Sequence, residues 1–569
     1  MTGPFPLDAY RYYEREWEDL DELRAAFEWE VPDSFNVAEF VVDRWRDRKG
    51  HVAVFAEAAD GDREWYTFHD LYDRANRVAN ALAARGLDHG DRVGVNTGQR
   101  PETLVAHLAT WKLGAVSVPL STQFGTQALR YRLDDCAATA CFVDDGNAAT
   151  VREVRDDLDA LELVVDAGSG ADRESGEPGA DPGRDGGTIR FEAAIREGSD
   201  EHRTAETDPG DPAAVFYTSG TTGPPKGVVQ AHRFFLGTTS VFLAAIADLR
   251  IEPEDLVWTP VEWSWAGSLP SYVLDPLMFG VPVVAYDGES FDPETAFGVI
   301  ERYGVTVVLL PPTALRMLRS AGLGDDYDVS SVRVVSSAGE SLGASIREWA
   351  DGTFDDCAVN EAYGQTEAIG VVGECTPLFE PREGSMGKPL PGHDVRVVDP
   401  ETADPIDEPG VLGEIAVRYA DNPVCFTEYW NNPEGTERKV ENGWLLTEDL
   451  GEMDADGYVT FVGRTDDVII SAGYRIGPEE IEDVLAAHEA VATVGVSGVP
   501  DEERGEVPAA FVVLAEGWSP SEDLVESLQD HVRRELADYQ YPREVRFVEE
   551  LPRTTTGKIR RSELDDYLD

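Results

Sequence analysis

The chain has 569 residues, of which 42% are hydrophobic and 9% aromatic, so it is too long for one core and predicts two or more packed domains. Its 110 acidic residues against 48 basic ones give a formal net charge of −62, which argues against nucleic acid as a partner. Such a charge suits a cytosol loaded with salt, where the Debye length falls to about 3 Å, and it suggests a halophilic source.

Targeting and redox signals are few. The five cysteines lack paired metal-ligand spacing, and the acidic, aromatic start of the chain has no apolar core of a signal peptide. No apolar run approaches the ~20 residues that a membrane span needs. We therefore expect a cytoplasmic protein with no structural zinc and no membrane span, and we leave its oligomeric state open.

Strands and helices alternate between residues 36 and 143. The predicted strands are 51–56, 92–95, 115–118 and 139–143, and the predicted helices are 68–85, 101–113 and 127–135. This alternation predicts a parallel sheet covered by helices on both faces. Residues 168–187 are rich in Gly, Asp, Glu and Pro, which predicts a solvated loop.

The segment 217–227, Tyr-Thr-Ser-Gly-Thr-Thr-Gly-Pro-Pro-Lys-Gly, follows a predicted buried strand at 213–216. Its glycines let the backbone approach an anion, its hydroxyls can donate hydrogen bonds, and Lys226 supplies a positive charge, so it predicts a phosphate-binding loop. A P-loop would need Gly-Lys-Ser/Thr, whereas Pro225 and Gly227 flank the lysine here. A plain surface turn is the alternative interpretation.

Further strands are predicted beyond a helix at 232–247. They are 255–260, 281–285, 305–310 and 332–336, and the first ends in Glu-Trp-Ser-Trp-Ala-Gly. Its tryptophans, Trp263 and Trp265, either pack in the core or line a substrate pocket. The last strand leads into Gly339, Glu340 and Ser341, at the strand end where open α/β sheets bind ligands.

The segment 360–367, Asn-Glu-Ala-Tyr-Gly-Gln-Thr-Glu, combines three kinds of side chain. Tyr363 offers an aromatic face for a purine, Thr366 a hydroxyl for a phosphate, and Glu367 a carboxylate of the kind that Mg²⁺ prefers. Together they predict a nucleotide site.

These two segments resemble the signatures of the adenylate-forming enzymes, which include acyl-CoA synthetases, luciferases and peptide-synthetase adenylation domains. The sequence Tyr-Gly-Gln-Thr-Glu most resembles the corresponding motif of the medium-chain acyl-CoA synthetases. The resemblance implies adenine stacking at Tyr363 and magnesium binding at Glu367. Gly364 stands where acetate-specific relatives have tryptophan, which implies room for a longer, branched or aromatic acid.

Between residues 410 and 459 short alternating apolar runs predict an antiparallel or barrel-like subdomain. Residues 444–451 resemble the aspartate motif of the family, which implies that Asp449 binds the ribose, although Glu448 stands where relatives commonly have glycine. The resemblance implies a second ribose contact at Arg464 and a hinge at Asp466. We therefore expect an N-terminal domain at 1–465 for ATP and the acid, and a mobile C-terminal domain at 466–569.

The C-terminal domain is predicted to be mixed α/β, with helices at 478–488 and 521–536 and strands at 491–496 and 508–514. Lys558 falls in a motif that resembles the terminal lysine motif of the family, which implies contact with the α-phosphate and the carboxylate. The loop Ala472, Gly473, Tyr474 and Arg475 is implied to pass the pantetheine arm of CoA. Arg504 and Arg533 match positions near CoA or substrate.

The resemblance thus implies an α/β fold with a large domain of parallel subdomains, a small barrel-like subdomain and a small α+β C-terminal domain. It implies an acid–thiol ligase that uses ATP, Mg²⁺ and CoA to make an acyl-CoA through an acyl-adenylate. The implied catalytic residues are Lys226, Thr366, Glu367 and Lys558. The implied ATP or AMP contacts are Thr218, Ser219, Gly220, Thr221, Thr222, Gly223, Lys226, Gly339, Glu340, Ser341, Glu361, Ala362, Tyr363, Gly364, Gln365, Thr366, Asp449, Arg464 and Lys558.

Two alternatives remain at this point. One is an adenylate-forming enzyme that passes its acyl group to an acceptor other than CoA; the Gly473 loop and the lack of a carrier domain after Asp569 weigh against it. The other is an inactive nucleotide-binding protein, which the joint presence of Glu367, Asp449 and Lys558 disfavours.

Overall fold

The structure is a computed structural model. It describes residues 5–168, 187–218, 224–288, 290–465, 467, 469–471, 474–501, 505–536, 540–553 and 559–567. In these ranges no helix is both long enough and apolar enough to cross a membrane.

The first part of the chain, up to residue 231, opens with a 3₁₀ helix (Asp8–Glu14). Its elements are α1 (Leu20–Ala26), α2 (Val37–Val41), β1 (Val52–Ala58), β2 (Arg63–Thr67), α3 (Phe68–Ala83), β3 (Arg92–Asn96), α4 (Pro101–Lys112), β4 (Val116–Pro119), α5 (Thr126–Asp135), β5 (Ala140–Val143), α6 (Ala148–Arg155), β6 (Leu163–Asp166), β7 (Thr188–Arg190), α7 (Phe191–Glu197), β8 (Pro212–Thr218) and β9 (Lys226–Ala231).

The middle part, up to residue 373, contains two π-helical segments, Phe242–Ile246 and Leu269–Leu274. Its other elements are α8 (Phe234–Gly237), α9 (Thr239–Val241), β10 (Val257–Trp258), α10 (Asp275–Met278), β11 (Val283–Asp287), α11 (Pro293–Tyr303), β12 (Val307–Leu309), α12 (Pro312–Ala321), β13 (Val334–Ala338), α13 (Ala344–Thr353), β14 (Ala358–Gln365) and β15 (Ala368–Gly373).

The last part ends in a 3₁₀ helix (Arg561–Tyr567). Its elements are β16 (Lys388–Pro389), β17 (Val395–Val398), β18 (Gly413–Arg418), β19 (Glu428–Tyr429), α14 (Pro433–Lys439), β20 (Val440–Glu441), β21 (Trp444–Met453), β22 (Val459–Arg464), β23 (Ile469–Ser471), β24 (Tyr474–Ile476), α15 (Pro478–Ala486), β25 (Val491–Asp501), β26 (Gly505–Leu514), α16 (Glu522–Glu535) and β27 (Glu544–Phe547).

Two large sheets carry the core. One has the order β19-β9-β8-β4-β3-β5-β6-β7, and the other has the order β16-β15-β14-β13-β12-β10-β11-β1-β2. Their central strands pair in parallel. Strands β4, β5 and β6 are buried at every residue, as expected of parallel strands covered on both faces. The predicted parallel α/β architecture is confirmed.

Two smaller sheets follow. Strands β17, β18, β21, β20 and β22 form an antiparallel sheet, and β23 to β27 form the sheet of the small C-terminal region, in which β27 pairs in parallel with β26. The C-terminal sheet packs against α15 and α16 around a separate apolar cluster. This arrangement confirms a large N-terminal α/β region with a small C-terminal domain.

One predicted helix is wrong in detail. Residues 232–247 were expected to form a single helix, but the chain makes two short α-helical turns and then a π-helical segment. A Cβ on Gly237 would lie 2.6 Å from a methyl carbon of Val424, so this run packs closely against the later chain. Apolar periodicity cannot distinguish π from α turns, because both bury the same kinds of side chain.

The N-terminal segment, for which the sequence predicted no role, packs on the large domain. The Phe5 ring stacks on Phe279 with centroids 4.5 Å apart. The Tyr12 hydroxyl donates to the Ser240 carbonyl at 3.2 Å, and the indole of Trp29 donates to a carbonyl in the loop before β17. The segment therefore covers the helical run that contains the first π-helical segment.

Candidate active site

The predicted phosphate loop connects β8 and β9. These strands pair antiparallel as far as Thr218 and Lys226, so the loop is the tip of a hairpin. Tyr131 donates its hydroxyl to the carbonyl of Pro225 at 2.9 Å and anchors the returning strand. The Lys226 ammonium lies 5.2 Å from the ring centroid of Tyr429, at the wall of a large cavity. The hairpin thus presents a cation where the sequence predicted one.

A second hairpin, between β14 and β15, carries Thr366 and Glu367 at its turn. The Tyr429 hydroxyl donates to Oε1 of Glu367 at 2.5 Å, and Gln230 donates to the carbonyl of Thr366 at 2.6 Å. Burial, followed by the nearby Glu367 carboxylate, raises the pKa of Tyr429, so its hydroxyl stays a donor. Glu367 is therefore held beside Lys226 through one shared aromatic residue.

Sequence reasoning missed Tyr429. It belongs to the two-residue strand β19, which pairs with β9, so only the sheet brings it to Lys226. No local signal in the sequence indicates this contact.

Gly364 is required by its own hairpin. A Cβ at this position would lie 2.3 Å from the Gly370 nitrogen and 2.6 Å from the Ala368 carbonyl oxygen. The glycine therefore allows β15 to approach β14, and its missing side chain points at backbone rather than into open space. Gly364 therefore adds no open space to the cavity that it lines.

Asp449 is the centre of a buried polar network. Its Oδ2 accepts hydrogen bonds of 2.6 Å from the Tyr363 hydroxyl and from the Gln365 amide, and its Oδ1 lies 3.3 Å from Arg464. Burial raises the pKa of Asp449, while Arg464, Tyr363 and Gln365 oppose the shift. The predicted adenine and ribose residues are thus joined in one network.

Glu448 adopts the backbone conformation expected of the glycine that it replaces. Its φ is 62°, in the left-handed region that glycine occupies without steric strain. Its carboxylate lies 3.1 Å from Arg464 and 3.4 Å from Lys439. The departure from the family pattern therefore keeps the path of the chain and adds two ion pairs, one of them to the buried Lys439, at the cavity wall.

The strand end after β13 reaches both domains. Gly339 has a φ of 95°, and a Cβ there would lie 3.3 Å from the Trp265 ring. Glu340 pairs with Arg316 at 3.3 Å. The Ser341 hydroxyl donates to Oε2 of Glu479, on α15 of the small domain, at 2.9 Å. This junction is a contact between the two domains.

Glu361 is a buried carboxyl group of unusual basicity. Burial, and then the neighbouring Glu374, raise its pKa to about 8, against the effect of Arg347. Glu374 accepts from the Glu361 backbone N–H and from Arg347, both at 2.7 Å. Arg347 and Glu374 were missed by the sequence analysis because neither belongs to a motif.

One cavity of about 2040 Å³ connects these groups. The predicted residues that line it are Thr218, Lys226, Gly339, Glu340, Ser341, Glu361, Ala362, Tyr363, Gly364, Gln365, Thr366, Glu367, Asp449 and Arg464. The two tryptophans after β10 divide between the alternatives given above, since Trp265 lines the cavity and Trp263 is buried in the core.

The segment predicted to carry the terminal lysine begins and ends at this cavity. Arg553 and Ile559 form an antiparallel bridge, and both line the cavity together with Arg560 and Arg561. The intervening residues, including Lys558, lie outside the described residues. The structure thus brings both flanks of the predicted lysine segment to the cavity that the predicted nucleotide-binding residues line.

Several other predicted residues also lie outside the described ranges: Ser219, Gly220, Thr221, Thr222, Gly223, Asp466, Ala472, Gly473 and Arg504. The backbone of Tyr474 and Arg475 belongs to β24. Arg533 is not among the cavity residues; it bonds Asp530 at 2.8 Å and its guanidinium stacks 3.8 Å from the Tyr541 ring. Its predicted contact with CoA gains no support from this position.

Known proteins share both parts of this architecture. A model of the AMP-binding enzyme family matches residues 42–430, and a model of the AMP-binding enzyme C-terminal domain matches residues 480–558. The chain is 33% identical over 562 residues to the mitochondrial acyl-coenzyme A synthetase ACSM3 of Homo sapiens, covering 96% of this chain and 92% of that protein.

Solved structures agree. The anthranilate CoA ligase AuaEII in complex with anthranoyl-AMP superposes with a TM-score of 0.84 at 27% identity, covering 94% of this chain and 98% of that chain. The acyl-CoA synthetase of Brucella canis superposes with a TM-score of 0.73 at 33% identity, covering 96% and 98%. The chain therefore belongs to the AMP-binding enzymes, the adenylate-forming superfamily, and is an acid–thiol ligase similar to the acyl-CoA synthetases.

Proposed function

We propose that this enzyme converts a medium-chain, branched or aromatic carboxylic acid, ATP and CoA into an acyl-CoA, AMP and diphosphate through an acyl-adenylate. The observation that carries the proposal is the single cavity that contacts Lys226, Glu367, the Asp449 network and both flanks of the Lys558 loop. A carboxylate needs a good leaving group before a thiol can attack it, and adenylation supplies one.

In the first half-reaction the acid attacks the α-phosphate and diphosphate leaves. The developing charge lies on phosphate oxygens, so prearranged donors and cations stabilise it. We assign Lys226 and residues 218–223 to the β- and γ-phosphates, Thr366 to the α-phosphate, and Lys558 to the α-phosphate and the carboxylate. Tyr363 would stack on the adenine, while Asp449 and Arg464 would bind the ribose hydroxyls.

Magnesium fits this site through Glu367. Among the described residues, no group of three or more His, Cys, Asp or Glu side chains could hold a metal ion by itself. Mg²⁺ is commonly bound by one or two carboxylates together with substrate phosphates, and Glu367 beside the phosphate hairpin provides that carboxylate. When bound, the ion would neutralise phosphate charge.

In the second half-reaction the small domain, residues 466–569, would rotate about Asp466. The segment that carries Lys558 and the incoming thiol of CoA cannot both lie next to the carbonyl carbon that reacts. A hinge motion therefore separates the two steps. The Gly473 loop, with Arg475, would then face the cavity and pass the pantetheine arm. The Ser341 to Glu479 contact would break in this motion.

The size and chemistry of the cavity support the proposed substrate class. Beyond the nucleotide residues its walls include Val241, Ile246, Tyr272, Ile369 and Trp265. Apolar and aromatic walls favour a hydrocarbon chain or ring over acetate. The relative named anthranilate CoA ligase supports aromatic acids as one option.

A product assay tests the proposal. Acids of graded length and ring content should be incubated with ATP, Mg²⁺ and CoA in molar potassium chloride, with AMP, diphosphate and acyl-CoA measured together. We expect all three products in equal amounts for at least one acid larger than acetate. Release of ADP, or adenylate formation without a CoA thioester, would contradict the proposal.

A further inference from the structure

Arg132 is a buried arginine in the wall of the cavity. It belongs to α5, is 6% exposed, and lines the cavity together with Phe124 and Tyr217. Its guanidinium carbon lies 3.9 Å from the ring centroid of Phe124 and 5.8 Å from that of Tyr217. Tyr217 directly precedes Thr218, where the hairpin of β8 and β9 leads into the predicted phosphate loop. A cation that no motif predicted therefore lies beside this hairpin.

The guanidinium of Arg132 is incompletely paired. Nη1 donates to the Ala128 carbonyl at 2.9 Å, and Nε is buried without a hydrogen-bond partner among the described residues. Nη2 makes no hydrogen bond within the described chain either and, unlike Nε, is not enclosed. No described carboxylate pairs with this group, and the side chains that oppose the lowering of its pKa by burial are Tyr217 and Tyr131. A buried charge without a counter-charge is costly, so this site calls for an anion from outside the described chain.

Two nearby arginines show the ordinary arrangements. Arg130, also on α5, is exposed and pairs with Asp157 at 3.2 Å. Arg92 donates from Nε, Nη1 and Nη2 to three backbone carbonyls at 2.8–2.9 Å. Acidic residues outnumber basic ones by 110 to 48 in this chain, so a shortage of carboxylates does not explain why Arg132 lacks one.

Arg132 and Lys226 lie on opposite faces of the hairpin. Lys226 pairs with Thr218 across the two strands, and successive side chains of a strand point to opposite faces. The Tyr217 ring, with Arg132 beside it, is therefore on the face away from Lys226. Arg132 is thus placed to bind a phosphate group that Lys226 does not contact.

We infer that Arg132 binds a phosphate group of one of the two nucleotide cosubstrates, ATP or CoA. The inference rests on the proposed function, which supplies these two molecules, and it adds a residue to their binding site. A guanidinium is planar, stays charged and matches phosphate oxygens with parallel N–H donors. The rings of Phe124 and Tyr217 restrict its orientation, which reduces the ordering that binding requires.

The test compares Arg132→Gln, Arg132→Lys and the control Arg130→Gln in steady-state kinetics and in titration calorimetry with ATP and with CoA. Salt is held constant because it screens charges. We expect Arg132→Gln to raise KM and Kd for one cosubstrate at least about tenfold and to leave KM for the acid within about twofold. Arg132→Lys should recover part of the loss, because it keeps the charge without the planar donors. Arg130→Gln should match the wild type.

Fragments of the cosubstrates identify the source of the phosphate. If the phosphate belongs to CoA, the fragment that lacks it, either dephospho-CoA or pantetheine, should be used equally well by the wild type and by Arg132→Gln. If it belongs to ATP, inhibition by inorganic diphosphate should weaken in Arg132→Gln while KM for CoA stays unchanged.

Two outcomes would overturn the inference. One is an unchanged Kd for both ATP and CoA in Arg132→Gln. The other is an equal loss for ATP, CoA and the acid, with a lowered thermal midpoint that Arg132→Lys shares, since Arg132 would then act through packing alone. Calorimetry needs no turnover, so the failure of every acid to yield an acyl-CoA would refute the proposed function and still leave the binding of phosphate at Arg132 to be measured.

Discussion

The hydroxyl of Tyr363 donates a hydrogen bond of 2.6 Å to Oδ2 of Asp449. The aromatic ring assigned to adenine and the carboxylate assigned to ribose therefore hold each other in position before any nucleotide binds. Such mutual support reduces the side-chain ordering that binding would otherwise require.

Asp449→Asn should raise the KM for ATP about tenfold to a hundredfold, because the change removes the charge that faces Arg464 at 3.3 Å. Hydrogen bonds to charged groups contribute about 1.5–3 kcal/mol. Steady-state kinetics at saturating acid and CoA would measure the effect. The matched control is Asp454→Asn, which alters an exposed carboxylate paired with Arg382 and should leave this KM within about twofold. An unchanged KM in Asp449→Asn would exclude a ribose contact.

Glu367→Gln should reduce adenylation far more than Tyr429→Phe does. The first change removes the carboxylate assigned to Mg²⁺, whereas the second removes only the hydroxyl that orients it. Loss of such a supporting partner typically reduces activity about 10- to 100-fold, and we expect a raised requirement for Mg²⁺ in both variants. Pyrophosphate release over a magnesium titration separates the two effects. Equal activity of all three proteins would refute the assignment.

Glu448→Gly and Glu448→Ala test the left-handed backbone at this position. Glycine tolerates a φ of 62°, while an alanine there is strained by roughly 1–2 kcal/mol, and both variants lose the same ion pairs. The midpoint of thermal unfolding should therefore be higher for the glycine variant than for the alanine variant. Calorimetry at matched salt would show this, and the reverse order would mean that the loop adopts another conformation.

Stability should depend on pH through Glu361. Its pKa is raised from 4.5 to about 8, so between these values the folded state binds more protons than the unfolded state. This group's contribution to stability is present below about pH 4.5 and is lost as the pH rises through 8. Relative to the wild type, Glu361→Gln should therefore gain thermal stability as the pH increases from 5 to 8, by up to a few kcal/mol.

The exposed Glu380→Gln is the matched control for this experiment. Its unfolding midpoint should follow that of the wild type at every pH. A constant difference between Glu361→Gln and the wild type across the range would mean that Glu361 is ionised throughout.

The net charge of −62 predicts that salt stabilises the folded chain. Screening by potassium chloride weakens repulsion among surface carboxylates, most of all between dilute and molar concentrations. The thermal midpoint should rise across this range and more so in potassium chloride than in an equal concentration of uncharged osmolyte. A midpoint independent of salt would show that the acidic surface carries no such dependence.

The sequence predicted what depends on local pattern. The apolar run at 332–336 indicated a buried strand, which the structure has at Val334–Ala338. The segments predicted to bind the nucleotide follow such strands, and Gly339 and Thr366 both line one cavity. Glu448 stands where relatives commonly have glycine, and it adopts the positive φ that glycine favours. A whole motif therefore predicted the position of a segment better than any one residue in it did.

Residues brought in by long-range pairing could not be predicted. Tyr429 reaches Lys226 only because β19 adds to the edge of a sheet, and Arg347 meets Glu374 from a helix outside the motifs. The π-helical turns were not predicted for another reason, because the spacing of their apolar residues resembles that of an ordinary α-helix. Prediction failed where the contacting residues are far apart in the sequence, and where the backbone departs from the regular periods of α-helix and β-strand.

The packing of the N-terminal segment has a consequence for how the enzyme would respond to trimming. The Tyr12 hydroxyl donates to the carbonyl of Ser240, directly before the cavity residue Val241. Removing this contact would loosen the cavity wall that we assign to the acid and leave the two hairpins that we assign to the phosphates unchanged. Removal of the N-terminal segment should therefore reduce the selectivity among carboxylic acids before it reduces the affinity for the nucleotide.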